Sequence, residues 1–600
     1  MSFVTFIPLM LALGICFIPV WLLRHAKHRR AQDYFVSSQQ TRPEVVRNAS
    51  IAYALRMAAF GPLFAWGASG DFWPAIIGSA FFGLGVYLIY IVRQPLLEFL
   101  DSALSGDRSI TVHEFIARHH GNDPRVRLLA ASLTVCALLG LFVGEALGVA
   151  AFLKPMLPGS AAAVYLLVFG ALVLMVLHAI LSGHSGVMHS AQLQLGMLYL
   201  GLFGSTALFL YLHVSALTPM PPHGTFAVVF VAVFCAIMLY YRRSRYVDTG
   251  PIRTAASNAD GGRESTGARL LSRFEKIFNA CLSVLVVLII VVALMELYAA
   301  GLTAIVRDSA AALQTGTRVP GVGLIALCLL PLFYPLVDVT NWQRLAAARK
   351  GMSSSAGEPG RRSAVLRGVF RIYAVESALV WLSMCMLGAI AVIAIETPGG
   401  ADVLQVIVAP LISGDNDVAV VALPLLLICV FAVALSTMSA LFSASLCTIR
   451  YDLLAALWPE LAPGEGQSST EATARRRTLV AGGGIGLAVA AAFGVADAAL
   501  QISFTSSTFL ALLFAFCCAQ LSFAPLVLGP IVGRTRGNFG TVSPGWALVI
   551  LGFGAASGVA AVTVYLATGT EAWLWSAVPA CLGSGLVLFA IARAASRHPA

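Results

Sequence analysis

The stretch FAVALSTMSALFSASLCTIRYDLL, residues 431–454, decides how this chain is read. It is apolar over a length that crosses a bilayer, yet it carries Ser436, Thr437, Ser439, Ser443 and Ser445. It then stops abruptly at Arg450-Tyr451-Asp452. At 1.5 Å of rise per residue, a helix here holds Ser436-Thr437 about 20 Å from that charged exit, well inside the bilayer. Ser436, Ser439 and Ser443 share one helix face. A face of small residues lets helices approach closely while its hydroxyls bond back to carbonyls, which accounts for Ser439, Ser443 and Ser445. Ser436-Thr437 supports a second reading. Two adjacent neutral oxygens, joined by carbonyls of a broken helix opposite, can replace the water shell of a hard monovalent cation such as Na⁺ without burying a carboxylate.

The rest of the chain fits a membrane setting. Of 600 residues, 59% are hydrophobic and 11% charged, against roughly a quarter charged in a soluble chain. Apolar stretches of about twenty residues recur throughout, which implies a polytopic all-α membrane protein. The net charge of +10 sits in short loops between spans, which argues for orientation in the membrane and against a nucleic-acid partner. The eleven cysteines fall in apolar spans without metal-ligand spacing, so they read as small buried hydrophobes. No loop offers the paired carboxylates or histidine cluster of an enzyme.

Length and hydropathy predict about fifteen spans. They fall near 3–23, 50–70, 72–92, 128–153, 161–182, 190–213, 225–241, 277–302, 321–341, 368–396, 418–447, 478–498, 502–532, 545–567 and 573–594. With the N-terminus outside, nearly every Lys and Arg falls in an inward loop, and only Lys154, Arg307 and Arg318 fall outside. The basic cluster Arg24 to Arg30 follows the first span, which marks that span as retained and not a cleaved signal. The expected setting is a plasma (inner) membrane with the C-terminus cytoplasmic.

Two spans are interrupted: 50–70 by Gly61-Pro62 and 321–341 by Pro331 and Pro335. They run in opposite directions, and each opens a run of five spans. That is the layout of an inverted-repeat transporter whose broken helices expose carbonyls and dipole ends near mid-membrane. The expected organisation is a first span and lead-in (1–49), a first five-helix repeat (50–213), an inserted pair of spans with a basic loop (214–320), a second inverted repeat (321–532) and C-terminal accessory spans (533–600).

Four stretches, in order, resemble the sodium/solute symporter family, of which the chain looks like a divergent member. They are DYFVSSQQT at 33–41, SITVHEFIARHHGNDPRVRLL at 109–129, TNWQRLAAARKG at 340–351, and ALSTMSALFSASLCTIRYDLL within the opening stretch. The resemblance implies a LeuT-like five-plus-five inverted repeat that couples solute uptake to Na⁺, occasionally to H⁺. It implies a sodium site made by Ser436, Thr437 and the carbonyl of Val433, with partner carbonyls from Ser50 and Tyr53. The family's aspartate after the fourth core span is replaced by Ala191 in SAQLQ, which argues against a second sodium site there.

Ionisable groups within spans are functional candidates because they are costly in lipid. Two roles are open to Arg56: binding a substrate carboxylate bidentately, or a structural pair with Glu145. Glu145 in turn is open to a proton or a substrate amine. Asp338 is read as a helix cap or an inner gate, and Glu296, Glu376, Asp497 and the lone His178 as structural. The function expected is sodium-coupled symport of a small solute, with the first four or five core helices rocking against the rest. The competing reading is a transporter-like membrane sensor that works with a separate signalling protein.

Overall fold

The structure, a computed structural model, describes residues 14, 34–36, 43–105, 109–156, 161–216, 225–233, 235, 284, 287, 290–291, 307, 311, 317–353, 359–395, 417–457, 468–500, 507–535 and 540–596. The spans expected at 3–23 and 277–302 lie almost wholly outside them, as does Glu296. Among the described residues there is helix and no strand, as lipid demands of a chain that must satisfy its backbone within each segment.

In chain order the first helices are α1 (Pro43–Ala54), α2 (Met57–Ala68), α3 (Trp73–Ile91), α4 (Arg93–Ser105), α5 (Val112–His119), α6 (Pro124–Leu153) and α7 (Ala161–Ala216). A second group, in the half of the chain where the second repeat is expected, holds α8 (Gly321–Val337), α9 (Val339–Ser353), α10 (Pro359–Ile395), α11 (Asp417–Thr448), α12 (Ser468–Leu500), α13 (Ser507–Leu521) and α14 (Ala524–Thr535). Then follow α15 (Pro544–Thr568) and α16 (Glu571–Ala595), which pack on each other. Nine described helical segments are long and apolar enough to cross a membrane, and α8 with α9, bent by 46°, makes a tenth.

The 56-residue α7 is more than twice the length of one span. It divides at Gly183, where φ is 60° and ψ −174°, a region essentially reserved for glycine. Tyr34 sits against this break and donates from its hydroxyl to the carbonyl of Ile180 at 2.5 Å. The division falls between the spans expected at 161–182 and 190–213.

Packing between the repeats has the exchange symmetry of a five-plus-five layout. Helix α2 packs on α10 while α8 packs on α3, and α6 packs on α13 while α11 packs on α7. The pair α6 and α11, each the third span of its repeat, meets in the middle. In its most apolar stretch the span containing α11 has 89% of its residues buried and that of α12 only 28%, so α11 lies at the core of the described helices and α12 at their margin. Two of these interfaces are backbone against backbone. A Cβ on Gly67 of α2 would stand 1.7 Å from the Cys385 carbonyl oxygen of α10, and one on Gly85 of α3 would stand 2.3 Å from the Pro331 carbonyl of α8.

Both first helices are broken, but not where the prolines mark them. Gly61 and Pro62 lie inside α2, and the break is at Leu55-Arg56, with Arg56 extended at φ −105° and ψ 146°. Pro331 and Pro335 lie inside α8, and the break is at Asp338, with φ −69° and ψ 112°. A proline removes one N–H and crowds the preceding turn, whereas the joint forms where side chains can take over the freed backbone groups. Glu145 accepts from the N–H of Met57 at 2.8 Å, and Asp338 accepts from that of Thr340 at 3.0 Å.

Candidate ion and solute site at the helix breaks

Where α1 ends, its last carbonyls run out of regular helical partners, Ala52 keeping only a 3.3 Å bond from the Leu55 N–H, and they carry the negative end of the helix dipole. They face α11. Ser436 Oγ lies 3.2 Å from the Ala52 carbonyl oxygen and 2.9 Å from that of Val433. Thr437 Oγ1 lies 3.1 Å from the Leu55 carbonyl and 3.0 Å from Val433. Five neutral oxygens from two elements therefore converge, all of them buried. This donor set suits a hard monovalent cation, which takes oxygen ligands and is held in such folds by unwound carbonyls and half-helix C-terminal ends.

Ser436, Thr437 and Val433 are thus brought together, whereas Ser50 and Tyr53 do not supply the facing carbonyls. Ala52 and Leu55 do, because the joint at 55–56 sets which carbonyls are left unwound. The Ser50 hydroxyl bonds back to Val46 at 2.8 Å, and the Tyr53 hydroxyl donates to Asp338 Oδ2 at 2.8 Å.

Arg56, on the other side of the joint, meets Asp338 and not Glu145. Its Nη2 is 3.0 Å from Asp338 Oδ2, its Nη1 is 3.4 Å from the Tyr334 hydroxyl, and its guanidinium lies over the rings of Tyr53 and Tyr334. Asp338 Oδ1 accepts from Thr340, both backbone and hydroxyl. Asp338 therefore takes the expected role of a cap on α9 and, beyond it, ties the two breaks together through Arg56. Glu145 presents Oε2 to the N-terminus of α2, where the dipole favours a carboxylate. Its Oε1 is buried with no hydrogen-bond partner among the described residues, as is Nε2 of Gln520, whose Oε1 accepts from Tyr334 at 2.7 Å. The roles of Tyr334 and Gln520 were not foreseen. Only the spacing of Tyr334 one turn before Asp338 hinted at either.

The Asp452 exit of α11 is not a simple surface charge. Ile449–Leu453 forms a π-helical turn that buries Asp452. Its Oδ1 accepts from Ser109 at 3.1 Å, Thr111 at 3.0 Å and Arg127 Nε at 2.9 Å, and Oδ2 meets His113 Nδ1 at 2.9 Å. Arg127 also donates to the Tyr451 carbonyl and pairs with Glu114 at 3.0 Å. The motif at 109–129 is thereby bolted to the end of α11.

Among the packing expectations, Ser439 and Ser445 bond back to helix carbonyls, and His178 Nε2 meets Ser190 Oγ at 2.7 Å. Glu376 accepts from Tyr199 at 2.6 Å. Ser443 differs, since its hydroxyl meets His184 Nδ1 at 3.2 Å.

No family model and no curated protein matches this sequence. Among solved structures, the chain is similar to one described as the substrate-bound outward-open state of a Na⁺-coupled sialic acid symporter, with a TM-score of 0.60. The match covers 99% of this chain and 98% of that chain at 12% identity. The likeness establishes the fold, a polytopic membrane transporter architecture in an integral multi-pass protein.

Proposed function

We propose that this chain is a secondary active transporter that couples movement of a small organic solute to Na⁺, and that it works in a plasma (inner) membrane. The observation that carries the reading is the cluster of five neutral oxygens from Ala52, Leu55, Val433, Ser436 and Thr437, placed where the broken α1 meets the central α11. Na⁺ there would tie α1 to α11 and favour the conformer that admits solute. H⁺ fits this donor set less well, because none of the five oxygens is a carboxylate or an imidazole.

The solute would lie beside Arg56 and Glu145, between α2, α6, α8 and α13. Arg56 is already matched by Asp338, so a solute carboxylate has to compete for it. The unmet groups are a carboxylate oxygen of Glu145 and an amide N–H of Gln520, which together suit a solute carrying a donor, such as an amine or hydroxyl, next to an acceptor. Both are buried polar atoms whose pairing with a solute would supply specificity.

The test is Na⁺ binding to the purified chain, read as thermal stabilisation on replacing K⁺ by Na⁺, followed by solute uptake in proteoliposomes. Ser436→Ala and Thr437→Ala should each raise the Na⁺ concentration for half-effect by about tenfold, equivalent to ~1.4 kcal/mol. Stabilisation and uptake indifferent to Na⁺, and unchanged in both variants, would sink the ion site. Na⁺ binding without flux of any solute would favour the sensor reading.

A further inference from the structure

Tyr53 has two guanidinium groups over its ring, and only one of them is neutralised by contact. Arg56 lies 4.3 Å from the ring centroid and is paired with Asp338. Arg344 lies 4.2 Å from the same centroid, on α9 just past the second break. It is 4% exposed, and its Nε and Nη1 have no hydrogen-bond partner among the described residues. Asp338 is within electrostatic reach of it, but Oδ2 is held by Arg56 and Tyr53 and Oδ1 by Thr340. A buried guanidinium left with open N–H groups is expensive. It is also the side chain best shaped to take an oxyanion or halide.

A second buried group points the same way. His184 on α7, 3% exposed, lies within electrostatic reach of Arg344. Its Nδ1 meets the Ser443 hydroxyl at 3.2 Å, while its Nε2 has no partner among the described residues. When Ser443 donates to Nδ1, the ring proton sits on Nε2 and offers another N–H.

We propose that Arg344 forms a binding site for a compact monovalent anion, made by residues other than the cation cluster at Ser436-Thr437. The shared chemistry is a small singly charged acceptor, supplied either by a free halide or by a short carboxylate. Arg344 contributes Nε–H and Nη1–H. Bound there, the anion balances the second guanidinium over Tyr53 and so acts on the residue that also touches Asp338. The site stands whether or not Na⁺ is the coupling ion.

The test uses the purified full chain in detergent at constant Na⁺ and ionic strength, with lactobionate, an anion too bulky for a buried site, as the reference. Replacing it stepwise by chloride, and separately by acetate, is expected to raise the melting temperature saturably with one of the two. Chloride alone would mark a free-halide site, and acetate alone a carboxylate site; either result supports the proposal. Arg344→Gln should abolish the response. Arg344→Lys, which keeps the charge but not the fork, should weaken half-saturation about tenfold. Arg349→Gln, on the same helix as Arg344 but paired at the surface with Asp101 of α4, should leave it unchanged. A wild-type melting temperature indifferent to both anions overturns the site without any variant having to fold, as does a response that survives in Arg344→Gln.

Discussion

Arg56 and Asp338 are 282 positions apart in the chain and 3.0 Å apart in space, each at the non-helical joint of its repeat's first helix. The two breaks are therefore one structure. The guanidinium from one joint meets the carboxylate from the other, and Tyr53 and Tyr334 enclose the pair.

Removing one partner of such a pair strands the other charge. Asp338→Asn, which keeps an acceptor for Thr340, is expected to cost about 3–5 kcal/mol of stability. The double variant Arg56→Gln/Asp338→Asn should lose less than the two single losses combined, because the stranded charge is gone. Chemical or thermal unfolding of the four proteins checks this, and strict additivity would show the pair to be uncoupled.

The break in α7 makes a sharper prediction. Gly183→Ala places a Cβ 2.9 Å from Tyr34 in a backbone region that alanine avoids, and should cost about 2 kcal/mol or more. Gly170→Ala, in the same element with open space around it, should be neutral or stabilising by about 0.5–1 kcal/mol. Melting temperatures that move alike in the two variants would refute the assignment of strain to position 183.

At the exit of α11, Asp452 holds four donors and His113 contributes one of them. Asp452→Asn should destabilise by about 3 kcal/mol, leaving Arg127 short of a partner. His113→Gln, which removes one of those donors and the bond to Thr134, should cost less, about 1.5 kcal/mol. Equal effects would mean that the aspartate is not the hub.

A pH dependence follows from His120, outside the spans. Its Nδ1 accepts from the Val542 N–H at 3.1 Å and its Nε2 donates to the Leu526 carbonyl at 3.0 Å, so the neutral ring is fully used. Burial holds its pKa below the ordinary histidine value. The unfolded chain then takes up the proton first, so stability falls as pH drops below about 6.5 towards the depressed folded value. Above that range His120 contributes no slope. Unfolding midpoints of wild type and His120→Gln between pH 7.5 and 5 should converge as the pH falls; parallel curves would contradict this role.

The spans that fall within the described residues, the two broken helices and the placing of Ser436-Thr437 opposite one of them were legible in sequence, because each is written in a local pattern of hydropathy, proline or adjacent hydroxyls. The position of the breaks was not. Gly61-Pro62 and Pro335 flag a weakened helix, while Glu145 and Asp338, brought in from elsewhere in the fold or aimed by it, decide where the backbone opens. The shift from Ser50 and Tyr53 to Ala52 and Leu55 has the same origin, since a free carbonyl belongs to a helix end and not to a residue type. Arg344 stood within a quoted motif, yet nothing in TNWQRLAAARKG tells that its guanidinium is buried without a carboxylate in contact.

Gly67 and Gly85 settle which parts can travel together. With α2 keyed into α10 and α3 keyed into α8 at backbone contact, no thickness of side chain remains between them to shear. A rigid unit cut along the chain, five helices against the remainder, would have to tear both joints. On the proposed transport reading, the body expected to move therefore draws on both halves of the chain, α2 and α3 with α8 and α10, against α6 and α11. Ser436 and Thr437 lie where the end of α1 meets α11, so the ion proposed there would act less as a passenger than as a removable dowel.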